Sequence, residues 1–246
     1  MALSVSLLAG CGSTAASPVS SAASTAAEST TSSVVSETTS AAADENEAAA
    51  AQLLNDLTGS YQELWPVILA DEYKQTWLDD CTALVGEENA EAAFEKLSSM
   101  VTSDVYGEDA VEAYANGGGA YFCGFTNSLA TLTFDGETST ISGTDKDGNV
   151  LFSHTYHYIG MEPVHGLYEF ESDDADSGEF TYFFLAPDTS AETYHIEFRY
   201  GSDAEALSQY DAGEYAYWVA SGISTDCDQT MIDNCIELFC TENLAG

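Results

Sequence analysis

Between residues 120 and 200 the sequence consists of short β-branched and aromatic runs separated by turn residues, and this pattern limits the fold more than any other feature. The runs lie at 120–125, 129–134, 138–142, 150–158, 166–171, 179–186 and 193–200, and each has strand length. Asp135-Gly136 and Asp147-Gly148 fall between runs. There they predict tight hairpins whose turn residues both take positive φ, so that successive strands pair antiparallel. A meander of this length closes most readily into a small barrel. The fold class expected is therefore mostly β with flanking helices (α+β).

The helices flank this region on both sides. Leu64, Trp65, Val67 and Ile68, then Tyr73, Trp77 and Leu78, then Phe94, Leu97, Met100 and Val101 recur at helical spacing, which predicts helix across 62–102. Met231, Ile232, Cys235, Ile236 and Phe239 share one face of a C-terminal helix expected over 225–241, placed to cover an end of the barrel. Upstream, Asp44-Glu45-Asn46-Glu47 complements a helix N-terminus, with Leu53, Leu54 and Leu57 forming an apolar face behind it. Residues 12–50 are mostly Ser, Thr, Ala and Val. They are too poor in large apolar side chains to offset the entropy of ordering and are expected to form a flexible tether, with the folded domain at 51–246.

The first eleven residues carry a short apolar run (Leu3, Val5, Leu7, Leu8) that ends in Leu8-Ala9-Gly10-Cys11 and resembles a bacterial lipobox. In that kind of signal the chain is cleaved before the cysteine, which is then acylated; here that residue is Cys11. No Lys or Arg precedes the run, and the run is short, so residues 1–11 are expected to be the remnant of a longer signal. The chain is then an extracytoplasmic protein held to the cell membrane by lipid on Cys11. Four Lys+Arg against 42 Asp+Glu give a net charge of −38, which repels phosphate backbones and makes nucleic acid an unsuitable partner.

The order of elements and several local segments are similar to the ZinT/YodA family of bacterial zinc- and cadmium-binding proteins over about 57–224. Leu57-Thr58-Gly59-Ser60-Tyr61-Gln62-Glu63-Leu64-Trp65-Pro66-Val67-Ile68-Leu69 resembles the family's opening segment. Phe180-Thr181-Tyr182-Phe183-Phe184-Leu185-Ala186-Pro187 resembles its Phe-Ser-Asp-His-x-Ile-Ala-Pro, and Thr193-Tyr194-His195-Ile196 its His-Phe-His-Ile. The resemblance continues at Tyr200-Gly201-Ser202 and Tyr215-Ala216-Tyr217-Trp218. It implies a lipocalin-like (calycin) barrel, bound zinc, and delivery of the metal to an importer. The family's three metal-ligating histidines fall on Phe183, Thr193 and His195, so two of the three ligands are replaced, and the chain has only four histidines.

A rebuilt site would start from His195 and Glu197, which alternate with Thr193 and Arg199 on one strand face, opposite Tyr194, Ile196, Phe198 and Tyr200. The competing reading of this polar set is a solvent-facing stripe. His154 and His157 are three apart and should point to opposite faces. The acidic loops Asp145-Lys146-Asp147-Gly148-Asn149 and 173–179 lack the full ligand pattern of a calcium loop and read as hairpin turns. Besides Cys11 there are Cys81, Cys123, Cys227, Cys235 and Cys240, whose pairing stays open; Cys81 with Cys123, or either with the C-terminal group, is geometrically allowed. No Gly-x-Ser-x-Gly, His-Glu-x-x-His or phosphate-binding loop occurs, which points to a binding protein rather than an enzyme. The expectation is an extracytoplasmic, zinc-type metal-binding lipoprotein with an altered site. The alternative is a calycin-type module for a small molecule, glycan or protein, with Phe183 and tyrosines lining its pocket.

Overall fold

The computed structural model describes residues 34–116, 119–186 and 192–245, with side chains from residue 45 onward. Cys11 and the lipobox-like segment lie outside them. Eight strands, each antiparallel to its neighbours in sequence order, form a closed barrel: β1 (Gly59–Glu63), β2 (Thr131–Asp135), β3 (Thr140–Thr144), β4 (Val150–Met161), β5 (Tyr168–Ser172), β6 (Tyr182–Leu185), β7 (His195–Gly201) and β8 (Ala220–Ser224). Six of the seven expected runs supply β2 to β7. The run at 120–125 instead makes isolated bridges, from Phe122 to Thr102 and Trp218.

Closure depends on two strands that the periodicity did not announce. β1 has only Tyr61 as a strong strand former, and β8 is Ala-Ser-Gly-Ile-Ser. Tyr61 pairs with Ser224 and Glu63 with Gly222, joining the first strand to the last. β8 is buried on both faces, which is why its side chains are small. A Cβ at Gly222 would stand 3.2 Å from Ile196 and 3.4 Å from both Phe125 and Tyr61.

The helices are α1 (Val34–Asp56), α2 (Leu64–Ile68), α3 (Lys74–Val85), α4 (Ala90–Val101), α5 (Glu108–Ala115), α6 (Ala204–Leu207) and α7 (Gln229–Leu244). The helix expected from Asp44 thus begins at Val34, inside the segment read as tether. α7 starts where the Asp228 carboxylate accepts from the Met231 N–H at 3.0 Å. It packs its Ile232, Cys235, Ile236 and Cys240 face with α2, α3 and outward-facing Ile223, against the barrel wall.

The barrel interior is filled with rings. Phe134, Phe170, Phe183, Phe198, Tyr200 and Trp218 are all buried there, each worth about 1.5–3 kcal/mol as removed apolar surface. The Tyr200 hydroxyl donates to the Thr126 carbonyl at 3.0 Å, so this large side chain carries no unmet polar group inside. The Asp-Gly turns form by other means than expected. Gly148 has φ +82°, whereas Gly136 is required because a Cβ there would lie 2.4 Å from the Asn55 Cα of α1.

Candidate cation-binding crevice

On β7 the register sorts the side chains cleanly. Ile196 pairs with Gly222 and Phe198 with Ala220, while His195 pairs with Ile223 and Glu197 with Ser221. Ile196, Phe198 and Tyr200 enter the barrel; His195, Glu197 and Arg199 point outward. The outward set is not a solvated stripe, because α2 and α7 lie over its first half and the 204–216 segment over its second.

Under α2 and α7, His195 and Glu197 line a crevice of about 30 Å³ together with Trp65, Cys235, Phe239 and Glu242. Trp65 and Phe239 form its aromatic wall, edge to face at 4.7 Å. Thr193 is buried, and its Oγ1 lies 2.7 Å from the Nδ1 of His195, which sets the ring's orientation. Cys235 donates its S–H to the Thr193 carbonyl at 3.0 Å, and burial pushes its thiol up to about 12, so it stays protonated. Burial first, then Glu197, pushes the neighbouring Cys123 thiol up as well.

Of the three positions aligned with the family's histidines, Thr193 and His195 lie together and Phe183 does not join them. Phe183 pairs with Tyr200 and is fully buried inside the barrel, on the face opposite His195. Its ring stacks at 5.4 Å on that of Tyr200, so it lines no open pocket. Thr193 precedes the strand rather than alternating within it, because the chain takes φ +46° at Tyr194. A three-nitrogen site therefore does not fit this chain. Among the described residues, no three His, Cys, Asp or Glu side chains stand close enough to hold a metal ion together. Glu242 is exposed near the end of α7, and a cation would require it to rotate inward.

The other histidines are engaged elsewhere. His154, level with Ile141 on the inner face, has its Nδ1 2.7 Å from Asp174; His157, on the outer face, has its Nδ1 2.8 Å from Asp173. The second acidic loop is thus clasped by two imidazoles. In the first, Asp145 accepts from the N–H groups of Asp147 and Asn149, each at 2.9 Å. Hydrogen bonds from Asn149 hold its carboxyl below the usual range.

The constellation that pattern reading missed lies around Arg199, the chain's sole arginine. Its guanidinium is fully buried and donates to the carbonyls of Leu207, Gln209 and Tyr215. It lies 4.2 Å from the ring of Tyr210, whose other neighbour is His165 at 3.8 Å. Glu162, also fully buried, accepts from the N–H groups of Val164 and His165. The available signal was one arginine placed in an aromatic strand of a strongly acidic chain. A second cavity, of about 320 Å³, lies between Trp65, Leu69, Val101 and Phe122, with Glu63 on its wall.

Neither a family model nor a curated protein matches the chain in sequence. Solved structures similar to it include two that bind Zn(II). One is the Zn(II)-bound ZinT-like domain of Streptococcus pneumoniae AdcA, with TM-score 0.46 and 14% identity, covering 73% of this chain and 87% of that one. The other is Zn(II)-bound AdcA from Streptococcus pneumoniae, with TM-score 0.43 and 13% identity, covering 74% of this chain and 34% of that one. The chain thus spans about a third of the second protein's length.

Proposed function

We propose that this chain is an extracytoplasmic lipoprotein, anchored through Cys11, that binds a zinc-type divalent cation in the crevice between β7 and α7 and delivers it to a metal importer. The observation carrying this reading is that an imidazole and two carboxylates, from His195, Glu197 and Glu242, border one crevice of about 30 Å³. That is room for a single ion and not for an organic molecule. Nitrogen and oxygen donors of this kind suit zinc, with water completing the shell. The net charge of −38 raises the cation concentration around the chain. The resemblance to the ZinT/YodA family and the lipobox-like segment support the metal and the anchor respectively. The role is binding and release, with no catalytic step.

The test is a calorimetric zinc titration of the metal-stripped chain beside His195→Ala, Glu197→Gln and Glu242→Gln. Sub-micromolar binding that weakens by more than about tenfold in each variant is the expected result. Weak, salt-sensitive binding unchanged by all three substitutions would sink the cation reading, since a diffuse acidic surface behaves that way. The 320 Å³ cavity, within the size range of small-molecule sites and walled mainly by apolar side chains, supports the second reading, a metal-independent binding module.

A further inference from the structure

We infer that Cys81 and Cys240 are the two halves of an intrachain disulfide that fastens α7 to α3. Their sulfurs lie 3.9 Å apart, and both residues are fully buried where the two helices pack. Closing them to the about 2.05 Å of a disulfide takes a movement of less than about 2 Å. The other thiols that sequence spacing left as partners have different surroundings. Cys235 donates to the Thr193 carbonyl, and Cys123 lies beside Ser221 and Trp65. This pairing is independent of the cation reading, although it fixes the same helix: Glu242 lies on α7 just beyond Cys240, so the cross-link would hold one wall of the crevice in place.

The chemistry needs an oxidant, and a disulfide of low molecular weight or of an exported oxidoreductase supplies it. Cys81 reacts first. Burial raises both thiols; at Cys81 the hydrogen bond from the Cys240 thiol offsets part of that rise, whereas at Cys240 the Cys81 charge adds to it, so Cys81 is the easier of the two to deprotonate. The Cys81 sulfur attacks one sulfur of the oxidant, whose S–S bond breaks, and the departing thiolate takes up a proton. Cys240 then loses its proton and attacks the Cys81 sulfur of the mixed disulfide, expelling the second thiol of the oxidant. Two protein thiols are oxidised and one disulfide is reduced to two thiols. Because the pair is buried, the reaction proceeds when the end of α7 opens, or before α7 docks.

The experiment treats the purified full chain with hydroxyethyl disulfide, an uncharged reagent that the acidic surface does not repel. Remaining thiols are then blocked during denaturation and the chain is mapped without reduction. The expected result is one cross-linked species joining the Cys81 and Cys240 peptides, with a melting temperature several degrees above that of the reduced chain and restored by reduction. The mapping uses the unsubstituted chain, so it does not depend on a core variant folding. Cys227→Ser, at a half-buried residue outside the pair, should leave the cross-link intact. Recovery of Cys81 and Cys240 as blocked thiols, or of either joined to another cysteine, overturns the pairing.

Discussion

The two ends of the outer face of β7 receive similar side chains and treat them oppositely. At His195 and Glu197 the covering elements are helices, which bring apolar side chains and a rotatable carboxylate but few backbone groups, and a crevice remains. At Arg199 the cover is α6 and the loop after it, and three backbone carbonyls meet the guanidinium directly. Asp203 makes that cover possible by capping α6, accepting from the N–H groups of Glu205 and Ala206. A polar residue on a covered strand face is thus held by backbone carbonyls where irregular chain lies above it, and meets mainly side chains where helices, whose carbonyls are spent internally, do.

The largest effect follows from breaking the satisfied end. Arg199→Ala should cost about 3–5 kcal/mol in urea unfolding, because it empties a fully buried position and removes the charged donor to three carbonyls. A loss below about 1 kcal/mol would mean that water replaces the guanidinium and that the two ends differ less than their geometry indicates. Next in size is Phe183→His, which places the residue found at the similar position of the ZinT/YodA segment on a strand face that points into the barrel. Burying an imidazole among the rings of Tyr156, Phe198 and Tyr200 should cost about 1–3 kcal/mol and leave zinc affinity unchanged. Tighter zinc binding in that variant would show that positions 183 and 195 reach one ion, contrary to the faces they occupy.

Those faces were legible from the sequence, since a period of two assigned His195, Glu197 and Arg199 to one side and Ile196, Phe198 and Tyr200 to the other. What covers each face was not, because covering is a long-range matter. Glu242 and Trp65 reach the crevice from opposite ends of the chain, and nothing local to residue 195 announces them. The barrel's closing strands escaped for a related reason. β8 is small and polar in composition because both of its faces are crowded, so burial removed the bulky residues that mark a strand elsewhere. The run at 120–125 looked like a strand for the converse reason: Phe122 and Phe125 pack against the core, but the chain bends at Gly124 and makes only bridges. Gly136 shows the same limit in one residue, since its glycine answers to the approach of α1 and not to its own turn.

The smallest predicted effect concerns the imidazole at the satisfied end and asks which charge governs it. His165 is held below the ordinary histidine value of 6.5, first by burial and then by Arg199, while Glu162 works in the opposite direction from 3.6 Å. The Tyr210 ring contacts both His165 and the Arg199 guanidinium, at 3.8 and 4.2 Å, and Glu169, raised by burial and by Glu162, adds a nearby carboxyl. With the folded value below the unfolded one, the unfolded chain takes up more protons as pH falls below about 6.5. The contribution of His165 to stability is therefore complete above that pH and shrinks on acidification. Glu169 acts in the opposite sense, losing stability as pH rises through the carboxylate range, so the comparison must be between the unsubstituted chain and His165→Gln at each pH. Urea midpoints from about pH 7.5 to 5.5 should show the unsubstituted chain losing ground to the variant as pH falls, by less than either substitution above costs. If it gains ground instead, Glu162 outweighs burial and Arg199. The carboxylate would then hold His165 as an imidazolium in the neighbourhood of the guanidinium, and this end of β7 would be a charge network rather than one cation satisfied by backbone.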